Sequence, residues 1–185
     1  QSNRYAGMEN DTTSSSGQYR NLSPFILGKI PTYIQGLEAK NFENLWQFSK
    51  VYKEHLDKDG DPNDLWFKWR NWGWTQSRAQ RYPMGKGSKP EYAYWDGEKL
   101  GYIDARKRIY APIYAENVIK TDSFRRLKDI YDTGRIIVLR DYDAYDHQKL
   151  NLTLIDVINN PGKKMGHAFV LIMILTNMLE ACIHS

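Results

Sequence analysis

The run Phe169-Val170-Leu171-Ile172-Met173-Ile174-Leu175 carries no polar side chain on any face. A helix that is apolar all round must lie inside a fold, because turning any face outward leaves hydrocarbon in water. Thr176, Asn177 and Glu180 interrupt the surrounding stretch, which falls short of the ~20 apolar residues that a membrane span needs. The expectation is a buried central helix over about residues 165–183, with the rest of the chain layered around it and no membrane partner.

A second helical pattern carries more chemistry. Over residues 41–50, Phe42, Leu45, Trp46 and Ser49 share one face, while Glu43, Gln47 and Lys50 fall on the adjoining one at spacings of four and three. An apolar stripe would thus anchor a row of carboxylate, amide and ammonium able to orient and protonate a small polar ligand. The same row is also what a solvated helix face looks like, with Glu and Lys supporting the helix. The pattern predicts a helix running to about residue 55.

The 185 residues suit one domain. The 13 Tyr, 6 Trp and 6 Phe mean that many rings sit half-buried, presenting an apolar face and a polar handle to a heterocycle. A net charge of +4 permits attraction to phosphates without requiring nucleic acid. Cys182 is the single cysteine, which excludes an internal disulfide and a CxxC metal site and points to a reducing, cytoplasmic setting. His55, His147, His167 and His184 are too scattered for a zinc pair.

Gln1-Ser2-Asn3 reads as a tag remnant with Met8 as a start, and residues 1–20 as that remnant plus a flexible arm. Residues 21–185 read as one globular, helix-rich α+β domain with a small sheet. Residues 22–28 and 31–34 suggest a two-stranded pair, and 58–64 a turn-rich loop. Helices are expected over 66–74, 104–119 (kinked or broken by Pro112), 123–133 and 152–158. Thr121 or Asp122 would cap the third of these, with Gly134 just past its end. Residues 81–97 read as a long loop and 136–139 as the best strand.

Further clusters stand out as candidate sites. Residues 66–91 combine Trp66, Trp69, Trp72 and Trp74 with Lys68, Arg70, Arg78, Arg81, Lys86 and Lys89 against one acid, Glu91. Bases can pair with phosphates while rings stack on nucleobases, or the segment is a solvated basic loop beside core tryptophans. Asp141, Asp143 and Asp146 follow the best strand, where a loop would expose them or use them as turn and cap residues. Asn160, Lys163, Lys164, Gly166 and His167 lead into the final helix, whose first amides and partial charge favour an anion.

In order and block character these pieces resemble the NADAR superfamily. Ser23-Pro24-Phe25, Pro31-Thr32, then Glu43, Trp46, Gln47 and Lys50 look like its early block. Residues 110–139 with Thr133-Gly134, the acids at 141–146, and Asn160 with Met165-Gly166 look like its later ones. His147-Gln148 stands where the family carries Trp-Gly. The resemblance implies an N-glycosidase that needs no metal or other cofactor and cleaves an N-ribosyl bond in an ADP-ribose-like or nucleotide-like small molecule. Glu43, Lys50 and Asp143 would be catalytic. Trp46, Gln47, Arg78, Arg81, Lys86, Asp141, Asp146, Asn160, Lys164, Gly166 and His167 would bind substrate. The chain is also similar to a small protein of large tailed phages, which would place it in a host cytoplasm. The alternatives are a non-catalytic binder of nucleotides or single-stranded nucleic acid, or an inhibitor of a host protein.

Overall fold

The structure, a computed structural model, describes residues 8–12 and 17–185. The tag remnant and residues 13–16 of the expected arm lie outside the described residues. In chain order the elements are β1 (Met8–Asp11), β2 (Ile30–Pro31), β3 (Glu38–Ala39), α1 (Phe42–Gln47), β4 (Lys50–Val51), α2 (Asp64–Thr75), β5 (Tyr92–Trp95) and β6 (Glu98–Leu100). There follow α3 (Tyr102–Ala105), α4 (Ala111–Val118), α5 (Asp122–Asp132), β7 (Ile137–Arg140), α6 (Leu154–Asn159), α7 (His167–Leu175) and α8 (Leu179–Ile183). The fold is α+β and mainly helical, as expected, with β2–β3 and β4–β5–β6 antiparallel and β1–β7 parallel.

Residues 8–12 are not a loose arm. β1 pairs with β7 from Met8 opposite Ile137 to Asp11 opposite Arg140, and Thr12 is buried with its Oγ1 donating to the Arg140 carbonyl at 2.7 Å. The strand read from residues 136–139 is therefore present, and its partner lies more than a hundred positions away. The expected 22–34 pair forms differently. Residues 20–22 make a 3-10 turn, and Ile30–Pro31 pairs with Glu38–Ala39.

α1 ends at Gln47 instead of running on to residue 55. Ser49 turns back, donating Oγ to the Leu45 carbonyl at 2.6 Å, and Lys50–Val51 then pairs with Tyr92 and Ala93. Strand pairing thus takes over before the helical pattern is exhausted. The supposed loop 81–97 contains a hairpin whose turn residues Asp96 and Gly97 both take positive φ, 48° and 82°. Asp-Gly at that place is a strong two-residue hairpin signal.

Pro112 does not break its helix. From Tyr102 to Val118 the chain stays helical, but a π turn over Arg106–Tyr110 precedes the proline. Widening the turn accommodates a residue that lacks an N–H and crowds the preceding carbonyls. α5 starts with Thr121 Oγ1 accepting from the Phe124 amide at 3.1 Å and ends ahead of Gly134 at φ 83°.

The central helix is shorter than its apolar pattern. α7 stops at Leu175, Asn177 adopts φ 57°, and α8 folds back. His167 to Leu171 and Met173 are buried, whereas Ile172, Ile174 and Leu175 are only partly so. Among the described residues no helix is long and apolar enough to cross a membrane.

What fixes α1 against α2 is a close approach. A Cβ on Gly73 would overlap the Phe48 ring. Fully buried Trp66 and Trp74 donate their indole N–H groups to the carbonyls of Lys50 and Leu45, at 3.0 and 3.3 Å. Gly73→Ala is expected to cost about 1–3 kcal/mol through overpacking, read as a lowered urea midpoint with an unchanged slope.

Candidate functional site

α1, β4, the loop before β5, the α3–α4 helix and the loops around residues 141–143 and 161–167 surround a cleft of about 760 Å³. Its floor is the polar row read from the sequence. Asn41 caps α1, its side-chain oxygen accepting from the Asn44 amide at 2.8 Å, which orients the first turn and Glu43. Gln47 Nε2 donates to Glu43 Oε1 at 3.0 Å, and Lys50 Nζ donates to Gln47 Oε1 at 3.0 Å. Lys50 reaches this place from β4, not from the helix. Its ammonium also lies 5.0 Å from the centre of the Trp46 ring, and Trp46 meets Tyr110 edge-on at 5.0 Å.

Burial governs the charges here. Glu43 is 7% exposed, and loss of water pushes its carboxyl above the usual range, against the pull of Gln47, Lys50 and Arg81. Burial likewise brings the Lys50 amine down from 10.5 to about 8, with nearby Lys164 adding to the drop and Glu43 opposing it. Burial thus moves the proton affinities of the carboxyl and the amine toward each other.

The opposite wall separates the three acids. Asp143 lines the cleft and lies 3.5 Å from Arg81. Asp141 also borders it, but its Oδ2 accepts the Ala168 amide at 3.2 Å and faces His167 Nδ1 at 3.2 Å. His167 Nε2 lies 2.9 Å from the Thr12 carbonyl. The start of α7 is therefore not an open anion site: the chain's own Asp141 occupies it. Gly166 and His167 line the cleft, and a Cβ at Gly166 would collide with the Asp141 carboxylate. Asp146 turns away from the cleft and accepts the Lys149 amide at 3.2 Å.

Other expected ligand contacts fall elsewhere. Arg78 and Lys86 do not line the cleft. Asn160 caps a turn, accepting from the Gly162 amide at 2.9 Å. Of the tryptophans of 66–91, Trp66 and Trp74 are core, Trp69 is partly buried and Trp72 stays exposed but does not line the cleft; Arg70 is buried among Tyr33, Trp66, Phe67 and Trp74. Arg81 and Lys164 do reach the cleft. Arg81 is placed by the buried amide of Asn44, which binds the carbonyls of Gln76 and Arg78 at 3.2 and 2.9 Å and the Gln80 amide at 2.9 Å.

Residues outside the sequence reading complete the walls. Arg106, 2% exposed, donates to the carbonyls of Asn160 and Lys163 at 2.8 and 2.6 Å and to Tyr102 Oη at 3.0 Å. It ties down the segment that carries Lys164. Tyr102, Arg106 and Tyr110 recur every four residues, a row visible in the sequence. Among the described residues no group of three or more His, Cys, Asp or Glu is placed to hold a metal ion.

With its amine at about 8 in the fold against 10.5 when free, Lys50 gives the unfolded chain the extra proton between those values, so its contribution to stability rises with pH there. The stability difference between the natural chain and Lys50→Met should therefore grow in favour of the natural chain from pH 8 to 10.5. Urea melts across that range check this, and a flat difference counts against a desolvated amine.

No curated protein and no solved structure matches the chain. A family model described as a family of unknown function, DUF6939, matches residues 3–154, beginning ahead of Met8 and taking in Glu43, Gln47, Lys50, Arg81, Arg106, Asp141 and Asp143. Lys164, Gly166 and His167 lie beyond the matched stretch. By that match over most of its length, the chain belongs to the DUF6939 family.

Proposed function

We propose that the cleft is an N-glycosidase site that hydrolyses an N-ribosyl bond in an ADP-ribose-like or nucleotide-like substrate, the activity implied by the resemblance to the NADAR superfamily. The observation that carries this reading is the desolvated Glu43–Gln47–Lys50 row at the floor of an aromatic cleft. Breaking the bond between the sugar's anomeric carbon and nitrogen builds positive charge on the sugar. A carboxylate in a dry site stabilises that charge far better than one in water. Against the burial that disfavours it, the Gln47 hydrogen bond and the charge of Lys50 both favour the ionised form of Glu43 that this role requires.

Asp143, facing the cleft beside Arg81, is the acid suited to orient the attacking water. Trp46 and Tyr110 offer ring surface to the base. Arg81, Lys89 and Lys164 supply positive charge for phosphates, in place of Arg78 and Lys86. This reading goes with a cytoplasmic enzyme. Trp66 and Trp74 are core and offer no face to a base, so the tryptophan-rich segment lends less to a purely nucleic-acid-binding role than its composition suggests.

The test is release of the free base from ADP-ribosylated guanine and from an N-ribosyl phosphate, followed by chromatography. Glu43→Gln is expected to lower turnover by about 10²–10⁴-fold while ligand still protects the chain against heat. Equal turnover in the variant would remove Glu43 from the chemistry. Binding without base release from either substrate by the natural chain would sink the glycosidase reading and leave a non-catalytic nucleotide binder.

A further inference from the structure

Large apolar side chains left in water call for an explanation when they gather in one place. Four exposed aromatic residues border the same cleft: Phe25 at 41%, Tyr82 at 42%, Tyr102 at 47% and Tyr142 at 80%. Tyr142 has the highest exposure among the large hydrophobic residues described. Its neighbours in the chain, Asp141 and Asp143, both make contacts that shape the wall, so the backbone at Tyr142 is held while its ring projects.

The rings at the mouth are organised around charge. The Arg81 guanidinium lies 5.4 Å from the Tyr82 ring centre and 5.6 Å from that of Tyr142, joining the loop before β5 to the loop after β7. Its ion pair with Asp143 is long, at 3.5 Å, and both side chains are about a third exposed (33% and 29%), so the guanidinium keeps donors for another anion. Lys89 and Lys164 line the same cleft, and among the described residues no salt bridge pairs either of them. Exposed rings interleaved with cations match unstacked bases on a phosphodiester backbone. A duplex offers no free base faces, and an acidic peptide would not need the rings.

We propose that the cleft mouth is a landing surface for single-stranded nucleic acid, with Tyr142 and Tyr82 stacking bases that flank the nucleotide held inside and Arg81, Lys89 and Lys164 meeting its phosphates. The inference rests on the reading of the cleft as a nucleotide site, and it makes the substrate a residue within a strand instead of a free nucleotide. None of the tryptophans of residues 66–91 lines this surface. Its residues come from three separated loops that meet only in the fold.

The experiment is fluorescence anisotropy of the full chain with a labelled twelve-nucleotide oligothymidylate, in parallel with AMP, ADP-ribose and the same sequence as a duplex. The single strand should bind at least tenfold more tightly than AMP and than the duplex, and its affinity should fall with salt at a log–log slope of about −2, as for roughly three phosphate contacts. Tyr142→Ala should weaken the strand about tenfold and leave AMP binding unchanged, whereas Tyr142→Phe should bind as the natural chain does. Because the ring is 80% exposed, the alanine variant should melt with the natural chain, and that is checked alongside. Equal binding of strand, duplex and AMP would overturn the proposal, as would a strand affinity indifferent to Tyr142→Ala. Base release by the natural chain separates the two readings. Strand binding by a natural chain that releases no base from either substrate leaves the landing surface standing and removes the glycosidase role. Loss of strand binding in Tyr142→Ala with base release from the small substrate intact ties the strand to the mouth and leaves the chemistry in place.

Discussion

Holding a carboxylate at the floor of an apolar cleft is the constraint around which this molecule is arranged. Glu43 has lost nearly all its water, so its oxygens need donors from the protein. Gln47 supplies one, and Lys50 in turn fixes which way the Gln47 amide points by occupying its oxygen. The row therefore has a direction, from ammonium through amide to carboxylate. It holds only if α1 and β4 keep their relation. The indole N–H groups of Trp66 and Trp74 secure that relation by binding the carbonyls of Lys50 and Leu45, and α2 can come close enough because position 73 has no side chain.

The helical row was legible in the sequence because it depends on local spacing. Even so, the element carrying Lys50 was not: a period of three to four residues says nothing about a strand arriving from Tyr92 to take the chain away. Where a local signal was sufficient, as at Thr121 and Gly134 bounding α5, sequence and structure agree. The hairpin at Asp96-Gly97 has such a signal, but it sits in a stretch so dense with glycine and proline that a loop reads equally well. At Pro112 the helix is not broken, but the regular α-helix gives way to a π turn over Arg106–Tyr110 before resuming to Val118.

The candidate site was less legible than the fold, for a physical reason. Whether a charged residue serves a ligand or the protein depends on what else occupies its place. Nothing near Gly166 in the sequence says that Asp141 reaches the start of α7 and takes the position that the helix start offers to an anion. The role of Arg106 is hidden for the opposite reason. In the basic run Arg106-Lys107-Arg108 each side chain reads as solvent-facing, and only the carbonyls converging on Arg106 from the 157–163 segment make it a buried clamp.

The meeting of Thr12, Asp141 and His167 has a consequence for how the molecule comes together. The His167–Thr12 contact spans 155 residues and the Thr12–Arg140 contact 128. Closing loops of that size carries an entropic penalty that no local contact offsets in advance, and folds rich in such closures assemble slowly. The Asp141 side of the cleft is thus tied to completion of nearly the whole chain, whereas the α1 floor is secured by partners within a few dozen residues. A nascent chain would own its Glu43 row well before it owned the wall that turns that row into an enclosed site.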